Sequence, residues 1–556
     1  MSKRTIALII LDGWGIGSAD ESNPIHIINP QNINYLKANF PSGMLQASGI
    51  GVGLPWGEEG NSEVGHLNLG AGKIIYQNYP RISLAIRDKS FFENPALKGA
   101  FEHAKKNNSS INLIGLLSEG NVHSSFEHLS ALINFAEKEK VKINLHLFTD
   151  GRDSPPYSAL KLLNRLPRNE FMRLSSLSGR FFAMDREKHW DRIQKAYAVL
   201  TGEGPMIEIE NAEAHIKKTY DKKLNDEFIE PTRIGNDNGI QNNDALIFFN
   251  FREDRIRQIA SAFIDPVRGE TPVASASTSN GVDPVRGETP VASADARAHR
   301  TSNGVDKDFK NFPIKNFNNL YIATMTEYDK NFNVPTAYPP DKIEACLAKI
   351  LADNGKNQLR IAETQKYPHI TYFFNGMKEE AFKNEYRVLI PSKTIIRQEE
   401  HPEMMAGEIT TRIIESIGEN AFDFILANYA NADMIAHTGN YEACLKAVKI
   451  IDEQIGKITK AVLESNAVMI ITSDHGNMER VFDPLTGEPE TRHNPSPVPI
   501  YLVAKEFQRQ KTEAEIRQSE KESIGVLADV TPTILELMGI SKPKEMSGRS
   551  LLKTLL

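Results

Sequence analysis

Short apolar runs that each break off into a polar cluster constrain this chain more than any other feature. "TIALIIL" stops at Asp12, "INLIGLL" at "SEGNVH", "INLHLFT" at "DGRD" and "ALIFF" at "NFREDR"; later, "FDFILA" stops at "NYANADMIAH" and "AVMIIT" at "SDHGN". Runs this short, rich in Ile, Leu, Val and Phe and lacking polar alternation, predict strands of a parallel sheet covered on both faces by helices. Segments such as "YEACLKAVKIIDEQIGKITKAVLE" supply helical periodicity between them, so the expected class is α/β with a βαβ rhythm. In such open sheets ligands bind beyond the carboxyl ends of the strands, where these polar clusters fall.

The chain has 556 residues, more than one hydrophobic core usually supports, which predicts about two domains. Lys+Arg 65 against Asp+Glu 72 gives a net charge of -7, with no basic stripe to recruit nucleic acid or an anionic membrane, so small-molecule partners are expected. Cys346 and Cys444 lack C-x-x-C spacing and read as packing residues of a reducing compartment, which points to the cytoplasm. The start, "MSKRTIALIILDGWG", reads as a first strand rather than a signal peptide, because its apolar run meets Asp12 and no small-residue cleavage site follows. Nothing approaches the roughly 18 apolar residues of a membrane span. One stretch breaks the rhythm: "DPVRGETPVASA" occurs at 265 to 276 and again at 283 to 294. A short duplication with few large apolar residues buries too little to offset ordering entropy, so residues 265 to 307 are expected to form a mobile surface insertion without function.

The second half carries "NADMIAHTGN", in which Asp433 and His437 are four apart and share one face of a helical turn. "TSDHGN" places Asp474 and His475 directly after a strand, and "TRHNPSPVP" adds His493. With Asp12, these carboxylates and imidazoles, without a thiolate, suit Mn²⁺, or Zn²⁺ or Mg²⁺, and two ions are plausible. The same residues read singly as helix N-caps or satisfied core histidines. Ser62, inside "GNSEVGH", belongs to no G-x-S-x-G elbow. Coordination to a divalent ion is one way to activate its hydroxyl, and a helix starting there would offer N–H groups to a phosphate; a plain Ser N-cap is the bland alternative.

The middle of the chain is richer in arginine at predicted strand ends: Arg152 with Asp153, Arg180 and Arg186, and Arg252 with Arg255, besides His123. Arginine pairs bidentately with phosphate and carboxylate, so the set reads as a receptor for a small polyanion, while any one of them could be a solvated surface charge. His123 and Asp153 both remain open as proton carriers.

"LDGWG", "GNSEVGHLNLGAG", "DGRDSPP", "SGRFFAMDRE", "NFREDR", "AETQKYPH", "NADMIAHTGN" and "SDHGN" together resemble, in order and over nearly the whole chain, the cofactor-independent (2,3-bisphosphoglycerate-independent) phosphoglycerate mutases. The resemblance implies an alkaline-phosphatase-like metal domain, residues 1–76 and 339–556, interrupted by a substrate-binding transferase domain, residues 77–338. It implies two Mn²⁺ ions, or another divalent metal such as Mg²⁺, Zn²⁺ or Co²⁺. One would be held by Asp433, His437 and His493, the other by Asp12, Ser62, Asp474 and His475. Ser62 would be the nucleophile, and His123, Arg152, Asp153, Arg180, Arg186, Arg252, Arg255 and Lys366 the substrate-binding set. The chain would then be a cytoplasmic monomer interconverting 3- and 2-phosphoglycerate in glycolysis and gluconeogenesis through a phosphoserine. The departures are "SEGNVHS" for the family's "SDGGVHS", "GEEGNSEVGH" for "GQMGNSEVGH" and "DREKHW" for "DRDKRW", which place Glu58, Glu59 and His189 near the site without removing a named ligand. A metal-dependent phosphatase or phosphopentomutase, and a non-catalytic metal protein that senses polyanions, are the rival readings.

Overall fold

The computed structural model describes residues 4–236, 238–264 and 314–556, so the duplicated segment at 265 to 307 lies outside the described residues. The chain forms two compact units, one of Met1–Pro80 with Asp341–Leu556 and one of Arg81–Pro340.

The first unit is built on an eight-stranded sheet in the order Glu385–Ile390, Gln358–Glu363, Phe424–Tyr429, Ile6–Leu11, Val468–Thr472, Val498–Val503, Ser42–Gln46, Ser523–Val526. The strand Ile6–Leu11 runs parallel to both its neighbours, and its six residues are all buried. Alternate residues enter two separate cores. Ala7, Ile9 and Leu11 pack with the helices Tyr441–Glu464 and Ala406–Glu419, whereas Ile6, Leu8 and Ile10 pack with Leu69, Leu347 and Ile534 of helices on the other face. Both faces are therefore covered, which is why the strand lacks polar alternation.

Not every strand is parallel. Val498–Val503 runs antiparallel to Val468–Thr472 and to Ser42–Gln46. The connecting segment from 473 to 497 forms no helix and never returns to the amino edge, so the chain re-enters the sheet from the carboxyl edge in the opposite direction.

The second unit repeats the plan with another eight-stranded sheet: Thr336–Tyr338, Tyr321–Thr326, Ala245–Phe248, Ile111–Leu117, Ile143–Thr149, Met172–Gly179, Thr232–Ile234, Met206–Ile207. Its central strands, Ile111–Leu117 and Ile143–Thr149, are buried along their full length and parallel to each other. Helices Trp190–Leu200 and Arg257–Ile264 close one face around Phe148 and Phe248. Cys346 and Cys444 are buried and unbridged. Among the described residues no helix is long and apolar enough to cross a membrane.

Ile451 lies mid-helix in Tyr441–Glu464 with no exposed surface, so Ile451→Ala is expected to destabilise the fold by roughly 2–5 kcal/mol through a cavity that neighbours cannot fill. Glu453→Ala, on the solvent side of the same helix, should change stability by no more than about 0.5 kcal/mol. Denaturant unfolding of the two variants checks the contrast; equal losses would contradict this packing.

Candidate active site

Four adjacent parallel strands of the first unit deliver their side chains to one place. In spatial order, the strands ending at 363, 429, 11 and 472 lead to Lys366, Asp433, Asp12, and Asp474 with His475. Ser62 arrives from elsewhere, as the first residue of helix Ser62–Ala71, and the helix is capped by Asn61, whose side chain accepts from the Val64 N–H. Asn61 therefore takes the capping role that Ser62 could have had, and the Ser62 hydroxyl is spent on the cluster instead. Gly65 allows that helix to approach: a Cβ there would stand 2.6 Å from the Asp474 carbonyl oxygen.

The hydroxyl of Ser62 donates to Asp12 Oδ1 at 3.2 Å and lies 2.9 Å from His475 Nε2. Lys366 Nζ donates to Ser62 Oγ at 2.8 Å, to Asp12 Oδ1 at 2.7 Å and to Asp433 Oδ2 at 2.8 Å. Burial works against the Lys366 charge, yet Asp12, Asp433 and Asp474 outweigh it and hold the ammonium protonated above the ordinary lysine range. Burial likewise opposes ionisation of Asp433, but Lys366, His437 and His493 keep it far below the usual carboxylate range.

Three histidines each turn one nitrogen toward this cluster. His437 Nδ1 lies 2.7 Å from the Thr491 carbonyl, His493 Nδ1 2.8 Å from that of Gly60, and His475 Nδ1 3.2 Å from that of Gly476. A carbonyl only accepts, so each Nδ1 carries a proton and each Nε2 is the nitrogen turned toward the carboxylates. The Nε2 atoms of His437 and His493 face each other at 3.1 Å and stand 3.1 and 3.2 Å from Asp433 Oδ1. Converging imidazole nitrogens and carboxylates, with three buried acids against one ammonium, fit divalent cations. Asp433, His475 and His493 form one group whose ligand atoms lie within 4.8 Å of one another, and Asp12, His66 and Asp474 form a second.

His66 was not among the expected ligands. It sits one helical turn after Ser62, a spacing that could have drawn attention to it. Its Nδ1 faces the Ser62 carbonyl at 2.9 Å and Asp474 Oδ2 at 3.1 Å, while Asn428 Nδ2 reaches its Nε2 at 3.0 Å and Asp12 Oδ2 at 2.7 Å. With both nitrogens engaged, His66 braces Asp474, and Asn428 links it to Asp12.

The second unit gathers positive charge by the same geometry. The strands ending at 248, 117, 149 and 179 are neighbours and lead to Arg252 and Arg255, His123, Arg152 with Asp153, and Arg180. Arg180 is almost wholly buried and its Nη1 donates to Asp150 Oδ1 at 2.6 Å and Asp153 Oδ2 at 2.8 Å. Asp150, which sequence reasoning passed over, also accepts from the Ser118 hydroxyl and from the N–H groups of Arg152, Asp153 and Ser154. Arg186 Nη1 and Arg252 Nε lie 2.9 and 3.3 Å from Asp254, and Arg152 Nε lies 3.2 Å from Glu227. These three side chains keep 48%, 52% and 55% of their surface exposed, so they can reach a ligand. Arg255 is pushed below the usual arginine range, first by burial and then by Arg186 and Arg180. Lys366, expected among the substrate-binding residues, belongs to the Ser62 cluster of the first unit. His189 pairs with Asp185 at 2.9 Å, and Glu58 is raised above its ordinary range by burial and by Glu59.

Residues 4–542 match the metalloenzyme superfamily. A 2,3-bisphosphoglycerate-independent phosphoglycerate mutase 1 of Methanosarcina barkeri is 41% identical over 99% of this chain and 98% of its own length. The corresponding mutase of Clostridium botulinum is 40% identical over 100% of both chains. The chain belongs to the 2,3-bisphosphoglycerate-independent phosphoglycerate mutases. It is thus an isomerase of the metalloenzyme superfamily that uses divalent metal and needs no bisphosphoglycerate. A solved phosphoglycerate mutase of Leishmania mexicana, at low cobalt concentration, is 26% identical over 99% of this chain and 98% of that one, with a TM-score of 0.48.

For a metal-dependent mutase the lysine at the centre of the acids has a measurable consequence. Lys366→Met is expected to cost roughly 3–5 kcal/mol of stability in chelator, because it strands buried carboxylates, and less in excess divalent ion. Unfolding of the variant with and without metal checks this; unchanged stability in chelator would contradict the charge balance described.

Proposed function

We propose that this mutase interconverts 3-phosphoglycerate and 2-phosphoglycerate through a phosphoserine at Ser62, as a cytoplasmic monomer. The observation that carries the reading is the environment of Ser62 Oγ, with Lys366 Nζ at 2.8 Å, His475 Nε2 at 2.9 Å and Asp12 Oδ1 at 3.2 Å. An ammonium at that distance favours the ionised hydroxyl, and the carboxylate and imidazole beside it are acceptors for its proton. Asp433, His437 and His493 are the candidate ligands of one divalent ion, and Asp12, Ser62, Asp474 and His475 of another, with Mn²⁺ the favoured metal. Bound there, such ions supply positive charge to the hydroxyl oxygen and to the phosphoryl group.

A phosphoglycerate brings roughly three negative charges, which a serine oxyanion does not approach unaided. Lys366 offsets part of that charge beside the nucleophile. Arg152, Arg180, Arg186, Arg252 and Arg255 suit the carboxylate and phosphate oxygens of the substrate through paired N–H donors. Retaining glycerate on those arginines while its hydroxyls exchange places turns a phosphoryl acceptor into a mutase. Release of the glycerate, followed by attack of water on the phosphoserine, would instead make a phosphatase. His123 and Asp153 are the groups beside the arginines able to move a proton.

Ser62→Ala is expected to lower turnover by ~10⁴-fold or more, by analogy with the loss of other covalent nucleophiles, with bound metal largely retained. A 3-phosphoglycerate to 2-phosphoglycerate assay without added bisphosphate, joined to metal analysis, measures both. Retention of substantial activity would overturn the nucleophile assignment, and release of free phosphate as the main product by the parent enzyme would favour the phosphatase reading. Chelation should abolish turnover and Mn²⁺ should restore it; full activity after exhaustive chelation would remove the metals from the mechanism.

A further inference from the structure

The unit that carries the arginines contains a carboxylate oxygen facing an imidazole nitrogen, with neither atom hydrogen-bonded. His123 Nδ1 and Asp254 Oδ1 are 3.5 Å apart. Both atoms are buried, and neither makes a hydrogen bond among the described residues. Burial of a polar atom without a partner is costly, so two such atoms facing each other mark an interaction that tightens when the site is filled.

The fold prepares this pairing. His123 follows the strand Ile111–Leu117 and Asp254 follows Ala245–Phe248, and these strands are adjacent and parallel. The Phe251 N–H donates to the His123 carbonyl at 2.8 Å, tying the two loops together one turn from the side chains. The other Asp254 oxygen accepts from Arg186 Nη1 at 2.9 Å, and Arg252 Nε stands 3.3 Å from Oδ1. Asp153, the alternative proton carrier, has Oδ2 committed to Arg180 Nη1 at 2.8 Å.

We propose that Asp254 is a positioning residue for His123, holding the Nδ1–H tautomer so that Nε2 is the nitrogen that exchanges a proton with the glycerate hydroxyls. This rests on the reading of His123 as a substrate-contacting residue. The groups facing the ring are Arg180 from the helix Arg180–Ala183, Asp153 from the loop after Ile143–Thr149, and Arg252 and Asp254. In the free protein burial, then Arg180, lower His123 to about 4, so the imidazole rests neutral with one basic nitrogen; Asp254 and Asp153 act in the opposite direction and favour the imidazolium once formed.

The proton balance closes over one turnover. His123 takes up one proton from solvent at Nε2 as the anionic substrate binds, and Ser62 Oγ gives its own proton to the acceptors beside it. When Ser62 Oγ bonds to phosphorus and the bond from phosphorus to the glycerate oxygen breaks, the imidazolium gives the Nε2 proton to that oxygen. When the other glycerate hydroxyl bonds to phosphorus and the Ser62 Oγ bond breaks, that hydroxyl returns its proton to Nε2 and Ser62 Oγ recovers its own from the acceptors beside it. Asp254 remains a carboxylate throughout, as the partner of Nδ1–H.

The test combines tautomer spectroscopy with a double-mutant cycle. In Mg²⁺-loaded enzyme with ¹⁵N-labelled histidine, long-range ¹⁵N–¹H correlation should find His123 protonated at Nδ1. Asp254→Asn should lose that preference, with kcat reduced by about 10²-fold, and Asp254→Glu should recover most of the loss. In a His123→Gln background, Asp254→Asn should lower kcat little further. Two results overturn the proposal: an Nε2–H tautomer in the parent, or full additivity of the two substitutions, which would mean that Asp254 acts only through the arginines. A His123→Gln enzyme with undiminished kcat would instead refute the role of His123 itself, and the proposal with it. Should Asp254→Asn fail to fold, the tautomer of the parent decides alone.

Discussion

The ammonium of Lys366, shared among Asp12, Asp433 and the Ser62 hydroxyl, is the interaction on which the first unit's chemistry depends. Three carboxylates with almost no solvent access would each carry a desolvation cost of several kcal/mol if left alone. One lysine cannot balance three acids, and the histidines around them turn nitrogens inward. The surrounding protein therefore builds a demand for positive charge into a rigid place, which a divalent ion meets. Because the acids stand on the ends of buried parallel strands, they cannot relax apart to relieve their repulsion.

The second unit solves the opposite problem with the same architecture. Its four adjacent strand ends collect arginines, and internal carboxylates hold them at fixed places. Asp150 and Asp153 fix Arg180, Asp254 holds Arg186 and Arg252, and Glu227 meets Arg152. Each acid neutralises part of the positive field while leaving N–H donors for a ligand. Charge alone would scatter these side chains, and pairing holds them together.

Much of this was legible in the primary structure. An apolar run that stops abruptly at a polar cluster states both where a strand lies and which residues leave its end, so Asp12, Asp474 and His475 could be placed before any coordinates. The residues that escaped notice act through others. Asn61 caps the helix on which Ser62 rides, His66 and Asn428 steer Asp12 and Asp474, and Asp150 and Asp254 organise arginines. An Asp or Asn in a polar loop has many roles open to it, and only its partners select one. The antiparallel strand Val498–Val503 was also invisible, since strand direction depends on which edge of the sheet a connection reaches.

The sequence by itself determined the α/β class, the strand ends that carry reactive groups and the kinship with the bisphosphoglycerate-independent mutases, because periodicity and residue chemistry are local properties that survive in a linear string. Tertiary structure alone decided that Lys366 sits against Ser62 and that Asp254 faces His123. Those outcomes depend on strand order, and strand order brings together residues more than a hundred, or several hundred, positions apart through contacts that no local pattern encodes.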